Sequence, residues 1–347
     1  MKKKFFLFFS VVVLIIIIIG SFSFKNLTTT SYGKLDTIFG VMSKIEKYFN
    51  PSLLKEKSIY EIRIALHKAT TKWSPKPISF SNIKNMDIKT DTNQVPVRIY
   101  TPANGDIFPL IIYSHGGSFV SGNIDEVDNI CRKLSKNSKA IVVSINYRLA
   151  PEDPFPAGLN DVYNVLQWVY RNAKSINGDS SRICIIGDSA GGNLSAAVSQ
   201  MSRDKDGPHI ISQVLIYPST NIYELNTKSW SYFGMDYNPT KENTEKFISL
   251  YTPRLEDRKS KYASPLLSEN FKGLPDTLII TAEFDPLRDE GEDYGNKLKE
   301  AGVDVISTRY KGVTHGFMSM GRITNKADEA LNEISTYLLT QFNRKKV

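Results

Sequence analysis

Residues 182–201 read RICIIGDSAGGNLSAAVSQM, and this stretch decides the fold. An apolar run of strand length, 182–188, meets the tight turn Gly187-Asp188-Ser189-Ala190-Gly191, and Gly192 then leads into a helical stretch through Met201. Gly-x-Ser-x-Gly between a buried strand and a helix is the pattern of a nucleophile elbow, which exposes a strained serine at the edge of a sheet. Glycine is expected at 187 and 191 because a β-carbon at either place would strike neighbouring strands. The N–H of Ala190 would open the helix beside the serine hydroxyl. Gly-x-Ser-x-Gly alone also occurs in plain turns, so the surrounding chain has to supply the rest of the chemistry.

Outward from the elbow, apolar runs of strand length alternate with helical patterns: 95–101, 109–115, 140–148, 213–218, 277–284 and 303–310 flank 182–188. LIIYSH, AIVVSINY, ICIIGD and TLIITAEFD read as strands buried on both faces, as in a parallel sheet. Leu159, Val162, Tyr163, Leu166, Val169 and Tyr170 recur at three- and four-residue spacing, as do Ala327, Ala330, Leu331, Ile334, Tyr337 and Leu338. These are amphipathic helices covering sheet faces. The alternation predicts a doubly wound α/β fold with its site at the carboxyl ends of the strands. Residues 219–262 break the rhythm: aromatic-rich and without a clear strand, they read as an insertion over the site, joined there by helices from residues 35–72.

A serine hydroxyl needs a base within hydrogen-bond reach and a third group to orient that base. His209 lies in a polar helix-to-strand loop, DKDGPH, at the wrong end of the sheet, and His67 belongs to an N-terminal helical region. His315 follows the run 303–310, so its loop leaves the same sheet edge as Ser189; it is the expected base. Asp285, where Pro286 ends the preceding strand, is the expected orienting carboxylate. It is favoured over Glu283 and over Asp289, an acid of the kind common at helix N-termini. His115-Gly116-Gly117-Ser118-Phe119 closes the run 109–115. Its glycines let backbone N–H groups approach an oxyanion, so Gly117, Ser118 and Ala190 are the expected donors. Asp188 reads as an anchor beside the nucleophile.

These residues resemble the hormone-sensitive-lipase-like branch of the α/β hydrolases, which includes bacterial esterases and relatives of arylacetamide deacetylase. The resemblance rests on HGGSFVSG at 115–122, YRLAPEDPFPAGLND at 147–161, GDSAGGNL at 187–194, DPLRDEG at 285–291 and HGF at 315–317. It implies an eight-stranded, mostly parallel sheet with helices on both faces, and a mainly helical cap from the N-terminal region plus an insertion, here at about 219–262; residues 26–75 are expected to hold a polar, Ser/Thr-rich stalk over 26–33 and then the N-terminal cap helices. It also implies no cofactor, and hydrolysis of carboxylic esters with short to medium acyl chains. His115, Gly116, Gly187, Asp188 and Gly191 then support the elbow and the oxyanion loop, and Arg148, Glu152 and Asp161 tie loops together behind the site. Where the family usually has a third glycine this chain has Ser118, whose side chain borders the acyl site. Amide, N-acetyl or O-acetyl hydrolysis uses the same machinery, and a non-catalytic ligand-binding protein on this fold is the remaining alternative. Trp230, Tyr232, Phe233, Tyr237, Phe247 and Tyr251 either line a substrate cleft or form the insertion's own core.

The two ends of the chain say something different. Lys2, Lys3 and Lys4 precede an apolar, uncharged run over 5–24, which reads as a membrane anchor spanning residues 1–25, or as a signal segment that is cleaved. Either reading leaves the basic end in the cytoplasm and delivers residues 76–347 outside it. The chain of 347 residues carries 44 basic and 36 acidic side chains, a net +8, but six basic residues sit at 2–4 and 344–346. The body is left with 38 against 36, so the charge gives no reason to expect a nucleic-acid partner. Cys131 and Cys184 are the only cysteines, read as core thiols, and no Cys/His cluster suggests a metal. The expected partner is a small-molecule ester, and the oligomeric state stays open.

Overall fold

The computed structural model describes residues 28–49, 57–90 and 93–344. The anchor expected at 1–25 lies outside these residues; among the described ones, no helix is long and apolar enough to cross a membrane.

Eight strands form one sheet: β3 (Ile83–Lys89), β4 (Gln94–Tyr100), β5 (Phe108–Ser114), β6 (Ile141–Ile145), β7 (Gly178–Asp188), β8 (Ser212–Ile216), β9 (Asp276–Phe284) and β10 (Val305–Thr314). Their order is β10-β9-β8-β7-β5-β6-β4-β3, with β4 antiparallel to both of its neighbours, β6 and β3, and the neighbours from β10 to β6 parallel. A small hairpin, β1 (Thr29–Thr30) and β2 (Gly33–Lys34), precedes the sheet.

Side-chain alternation along the central strands explains why helices cover both faces. On β7, Ile183 and Ile185 face one core while Cys184 and Ile186 face the other; on β5, Leu110 and Ile112 oppose Ile111 and Tyr113 in the same way. The first face is covered by α4 (Ala157–Asn172) and α5 (Ala190–Asp204), through Leu159, Val162, Leu194 and Val198. The second is covered by α3 (Asp128–Ser138) and α9 (Lys326–Asn343), through Ile130, Leu134, Ala330 and Ile334. Both cysteines are free and fully buried, and burial pushes each thiol pKa well up.

β3 was not among the strands expected from the sequence. It pairs along its whole length with β4, yet of its seven residues only Ile88 is buried, so as an edge strand it carries little apolar signal. β10 runs past the expected end at 310 because a register shift sets residues 310–314 of β10 against only 282–284 of β9. Gly312 sits in that bulge with φ 74°.

Two groups of helices stand apart from the sheet layers. Before it come α1 (Thr37–Phe49) and α2 (Ile59–Trp73). Ser58 and Glu61 cap α2 reciprocally, and Ile62 buries in the first core. Between β8 and β9 lie α6 (Lys228–Phe233) and α7 (Lys241–Tyr251), each opened by a threonine cap, Thr227 and Thr240. α8 (Arg288–Glu300) follows β9.

Candidate active site

β5 and β7 are adjacent, and the chain leaves them toward opposite sides of the sheet, β5 to β6 and β7 to β8. A crevice at such a switch point is where α/β sheets bind ligands. The glycine-containing loop 115–122 follows β5, the turn 187–191 follows β7, and both open into that crevice.

Ser189 has φ 56° and ψ −118°, a conformation costly for a residue with a β-carbon. It is over-determined: its N–H donates to the Ile216 carbonyl at 2.9 Å, and its carbonyl accepts from Asn193 and Ser219 at 3.1 and 3.2 Å. Sterics impose both glycines. A β-carbon at Gly191 would lie 2.0 Å from the Ser114 carbonyl oxygen at the end of β5, as expected of a neighbouring strand. One at Gly187 would lie 2.1 Å from the carbonyl oxygen of Gly191, so there the obstacle is the chain's own return into α5, not a neighbouring strand.

The structure brings Ser189, His315 and Asp285 into one hydrogen-bonded line. Ser189 Oγ lies 2.9 Å from His315 Nε2, and His315 Nδ1 lies 2.8 Å from Asp285 Oδ2. A carboxylate only accepts, so Nδ1 carries the ring proton and Nε2 is left to accept from the serine hydroxyl. Asp285 is fully buried, and its other oxygen accepts from the Leu287 N–H at 2.8 Å. The bulge before His315 is held on two sides: Gly312 donates to Glu283 Oε2 at 2.8 Å, and Asp36 N–H donates to the Gly312 carbonyl at 2.9 Å.

Gly117, Ser118 and Phe119 have φ of 124°, 54° and 65°, three consecutive left-handed residues. A β-carbon at Gly117 would lie 2.1 Å from the Ser121 carbonyl oxygen. The Gly117 and Ser118 N–H groups donate to no protein acceptor among the described residues. Asp188 roots this loop: its Oδ1 accepts from Tyr113 OH at 2.9 Å and from the Gly116 N–H at 3.1 Å, and burial raises its pKa to about 6. His115 points away from the crevice. Its Nδ1 donates to the Gly116 carbonyl at 2.7 Å, its ring stacks on Tyr147 at 4.3 Å, and burial lowers its pKa to about 4, so it stays neutral.

Arg63, on α2, is a residue that sequence reading missed. Its Nε donates to the Val120 carbonyl at 2.7 Å and its Nη2 to the Ala150 carbonyl at 3.0 Å, while Glu152 pairs with both terminal nitrogens. Ala150 N–H in turn holds the Phe119 carbonyl at 3.0 Å. Glu152 thus ties the 147–161 region to α2, and Arg148 binds Asp161 within that region at 2.8 Å. His67, partly exposed at the surface of α2, bonds Glu126 at 2.9 Å. His209 lies in the loop that enters β8, at the far end of the sheet.

A narrow cavity of about 20 Å³ opens beside the nucleophile. It is lined by Ser118, Phe119, Ser189, Ala190 and Ser219 on the sheet side, and by Ile222, Pro239, Thr244, Phe247, Ile248 and Leu287 opposite. Of the six aromatic candidates in the insertion, only Phe247 lines it. Trp230, Phe233 and Tyr251 are buried as core, with Tyr251 stacked on Phe119 at 3.9 Å. Tyr237 packs against Phe233 and Phe284, and Tyr232 stacks on Tyr32 of the N-terminal hairpin at 4.3 Å.

Glu290, in the first turn of α8, is fully buried between the sheet and the insertion. Trp230 Nε1 donates to its Oε2 at 2.9 Å and the Asn221 N–H to its Oε1 at 3.2 Å. Burial, with some repulsion from Asp285, raises its pKa to about 8. Asp289 is not simply a partner for the helix dipole, since its Oδ2 accepts from the Ser229 N–H of α6 at 2.8 Å.

Residues 111–319 match a family model described as the alpha/beta hydrolase fold. The carboxylic ester hydrolase LipN of Mycobacterium tuberculosis is 36% identical over 277 residues, covering 78% of this chain and 73% of that protein. An arylesterase of Saccharolobus solfataricus is 32% identical over 290 residues, covering 82% and 94%. Among solved structures, a hyperthermophilic esterase from Pyrobaculum calidifontis superposes with a TM-score of 0.80 at 34% identity, covering 86% of this chain and 97% of its own. With that sheet, that elbow and these relatives, the chain belongs to the alpha/beta hydrolase fold family, in its hormone-sensitive-lipase-like branch.

Proposed function

We propose that Ser189 is the nucleophile, His315 its base and acid, and Asp285 the group that orients and stabilises the imidazolium. The chain is a serine hydrolase of carboxylic esters. The observation that carries the assignment of roles is the unbroken line from Asp285 through His315 to a serine hydroxyl held in strained backbone, with contacts of 2.8 and 2.9 Å.

Ester cleavage follows from that line in two steps. Ser189 Oγ attacks the carbonyl carbon as Nε2 of His315 takes its proton. The carbonyl oxygen becomes an oxyanion, and the free N–H groups of Gly117 and Ser118, with that of Ala190, receive it. One such donor contributes roughly 3 kcal/mol to the transition state. His315 then returns the proton to the leaving alcohol oxygen, and a water repeats the sequence on the acyl-enzyme.

The alcohol has to leave within reach of His315, and His315 does not line the cavity beside Ser189. The cavity therefore takes the acyl group, and its apolar end wall of Phe247, Ile248, Ile222 and Leu287 supports a short to medium acyl chain. The first 25 residues attach the enzyme to a membrane with the catalytic domain outside the cytoplasm; Lys2 to Lys4 before the uncharged run 5–24 support this placement.

A panel of p-nitrophenyl esters from acetate to dodecanoate, with acetanilide beside it, tests the reading. The expected kcat/KM peaks between acetate and hexanoate and drops at least about tenfold by dodecanoate, with acetanilide slower than any short ester. Hydrolysis of no ester, or acetanilide cleaved faster than every ester, overturns it.

A further inference from the structure

The acyl cavity is apolar at its end wall but not beside the nucleophile. Four hydroxyl side chains line it: Ser118, Ser189, Ser219 and Thr244. Two are engaged. Ser189 Oγ meets His315, and Thr244 Oγ1 donates to the Thr240 carbonyl at 2.8 Å. The hydroxyls of Ser118 and Ser219 have no hydrogen-bond partner among the described residues.

Ser219 is the more telling of the two. It is only 8% exposed, its backbone N–H donates to the carbonyl of Ser189 itself at 3.2 Å, and both residues line the same cavity. The Ser219 hydroxyl is not sealed from solvent, so an acyl group that displaces water there leaves it without a partner unless the acyl group itself supplies one, and interiors normally satisfy such groups. Other unpartnered hydroxyls among the described residues, those of Ser114, Ser144, Ser195 and Tyr251, are sealed from solvent. Ser219 and Ser118 instead open on the space an acyl group enters. Ser118 sits at φ 54°, where glycine would be unstrained, so a side chain is carried there against backbone preference.

We propose that Ser219 and Ser118 form a polar recognition point for the acyl group, and that the preferred substrates are esters of short hydroxy acids. The acyl oxygen they recognise sits on the second or third carbon, because both hydroxyls lie beside Ser189 and the wall beyond them is hydrocarbon. Each serine can donate to or accept from that oxygen, which an alkanoate cannot offer. Ser219 acts here on specificity alone and takes no part in the proton transfers. This inference rests on the ester-hydrolase reading above.

The test compares matched ester pairs: ethyl lactate against ethyl propionate, and ethyl 3-hydroxybutyrate against ethyl butyrate. For each pair the ratio of kcat/KM is measured for the wild type, Ser219→Ala and Ser118→Gly. Comparing one ratio across variants cancels the intrinsic reactivity of the esters. The wild type is expected to favour the hydroxy ester in at least one pair, and Ser219→Ala to lower that ratio about fivefold to tenfold, the worth of one neutral hydrogen bond. Ser118→Gly, which keeps the backbone donor and suits the local φ, is expected to lower it as well. Alkanoates cleaved with no hydroxy preference in either pair, or ratios unchanged in both variants, overturn the inference while leaving the hydrolase intact. Cleavage of no ester would instead remove the reading beneath it.

Discussion

Two parts of this site are held in place by different means. Ser189, Asp285 and His315 stand where β7, β9 and β10 end, and backbone groups fix them: the Ile216 carbonyl, the Leu287 N–H and the bulge at Gly312. The oxyanion loop and the acyl wall depend instead on side chains reaching across the molecule. Arg63 comes from 57 residues before the carbonyl it grips, and Trp230 from 60 residues before Glu290. Chemistry is built on the sheet, and its environment is assembled by α2 and the segment between β8 and β9. The same contrast decides what a sequence discloses. Strand-end residues are marked by local sterics, while cross-chain contacts leave no local mark.

The contrast breaks most visibly at Arg63, which stands outside the sheet yet restrains the loop that carries the oxyanion donors. Ser118 and Phe119, the two residues with a β-carbon among the three left-handed ones, cost roughly 1–3 kcal/mol each unless the surroundings hold them. Removing the guanidinium frees the Val120 and Ala150 carbonyls together. Arg63→Ala is therefore expected to lower kcat about tenfold with KM little changed, well short of the hundredfold or more that loss of a donor itself produces. Arg63→Lys, which keeps the charge but loses the planar fork that spans both carbonyls, should recover part of kcat. A KM effect with kcat intact would mean that α2 shapes binding only, and the contrast would stand unbroken.

A smaller effect, on stability, sharpens it. Glu290 joins α8 to the insertion, and its pKa of about 8 lies above the 4.5 of an unperturbed glutamate. Between those values the folded chain keeps a proton that the unfolded chain has lost. This group's contribution is thus fully present below about pH 4.5 and is lost as pH rises toward 8, at up to about 1.4 kcal/mol per pH unit. Glu290→Gln, which stays neutral and keeps an acceptor for Trp230, is expected to flatten the decline of Tm between pH 5 and 9. An unchanged slope would show that Glu290 ionises normally and that the insertion is not fastened by a protonated carboxyl.

What the sequence disclosed follows the same line. The run 182–188 and Gly187 to Gly191 were legible because only glycine avoids the contacts of 2.1 and 2.0 Å found there, and because the apolar stretch 183–186, buried on both faces, has few other readings. His315 was legible from its place after a strand, although the bulge at Gly312 that delivers it was not. β3 went unseen because an edge strand with one buried residue lacks the alternation that betrays a strand. Arg63 went unseen because an arginine on a partly exposed helix looks like any solvated cation. Glu290 went unseen because acids are ordinary in the first turn of a helix. The aromatic residues of the insertion were ambiguous on composition, and the structure divides them: Phe247 to the cavity, most of the others to packing.

The central claim, that Ser189 becomes covalently acylated through His315, is met most directly by a fluorophosphonate that reacts only with an activated serine. Intact-mass analysis with peptide mapping is expected to find one adduct per wild-type chain, on the peptide carrying Ser189, and none on folded Ser189→Ala. A folded wild-type chain that stays unlabelled, or a Ser189→Ala chain labelled to the same extent, would contradict the account.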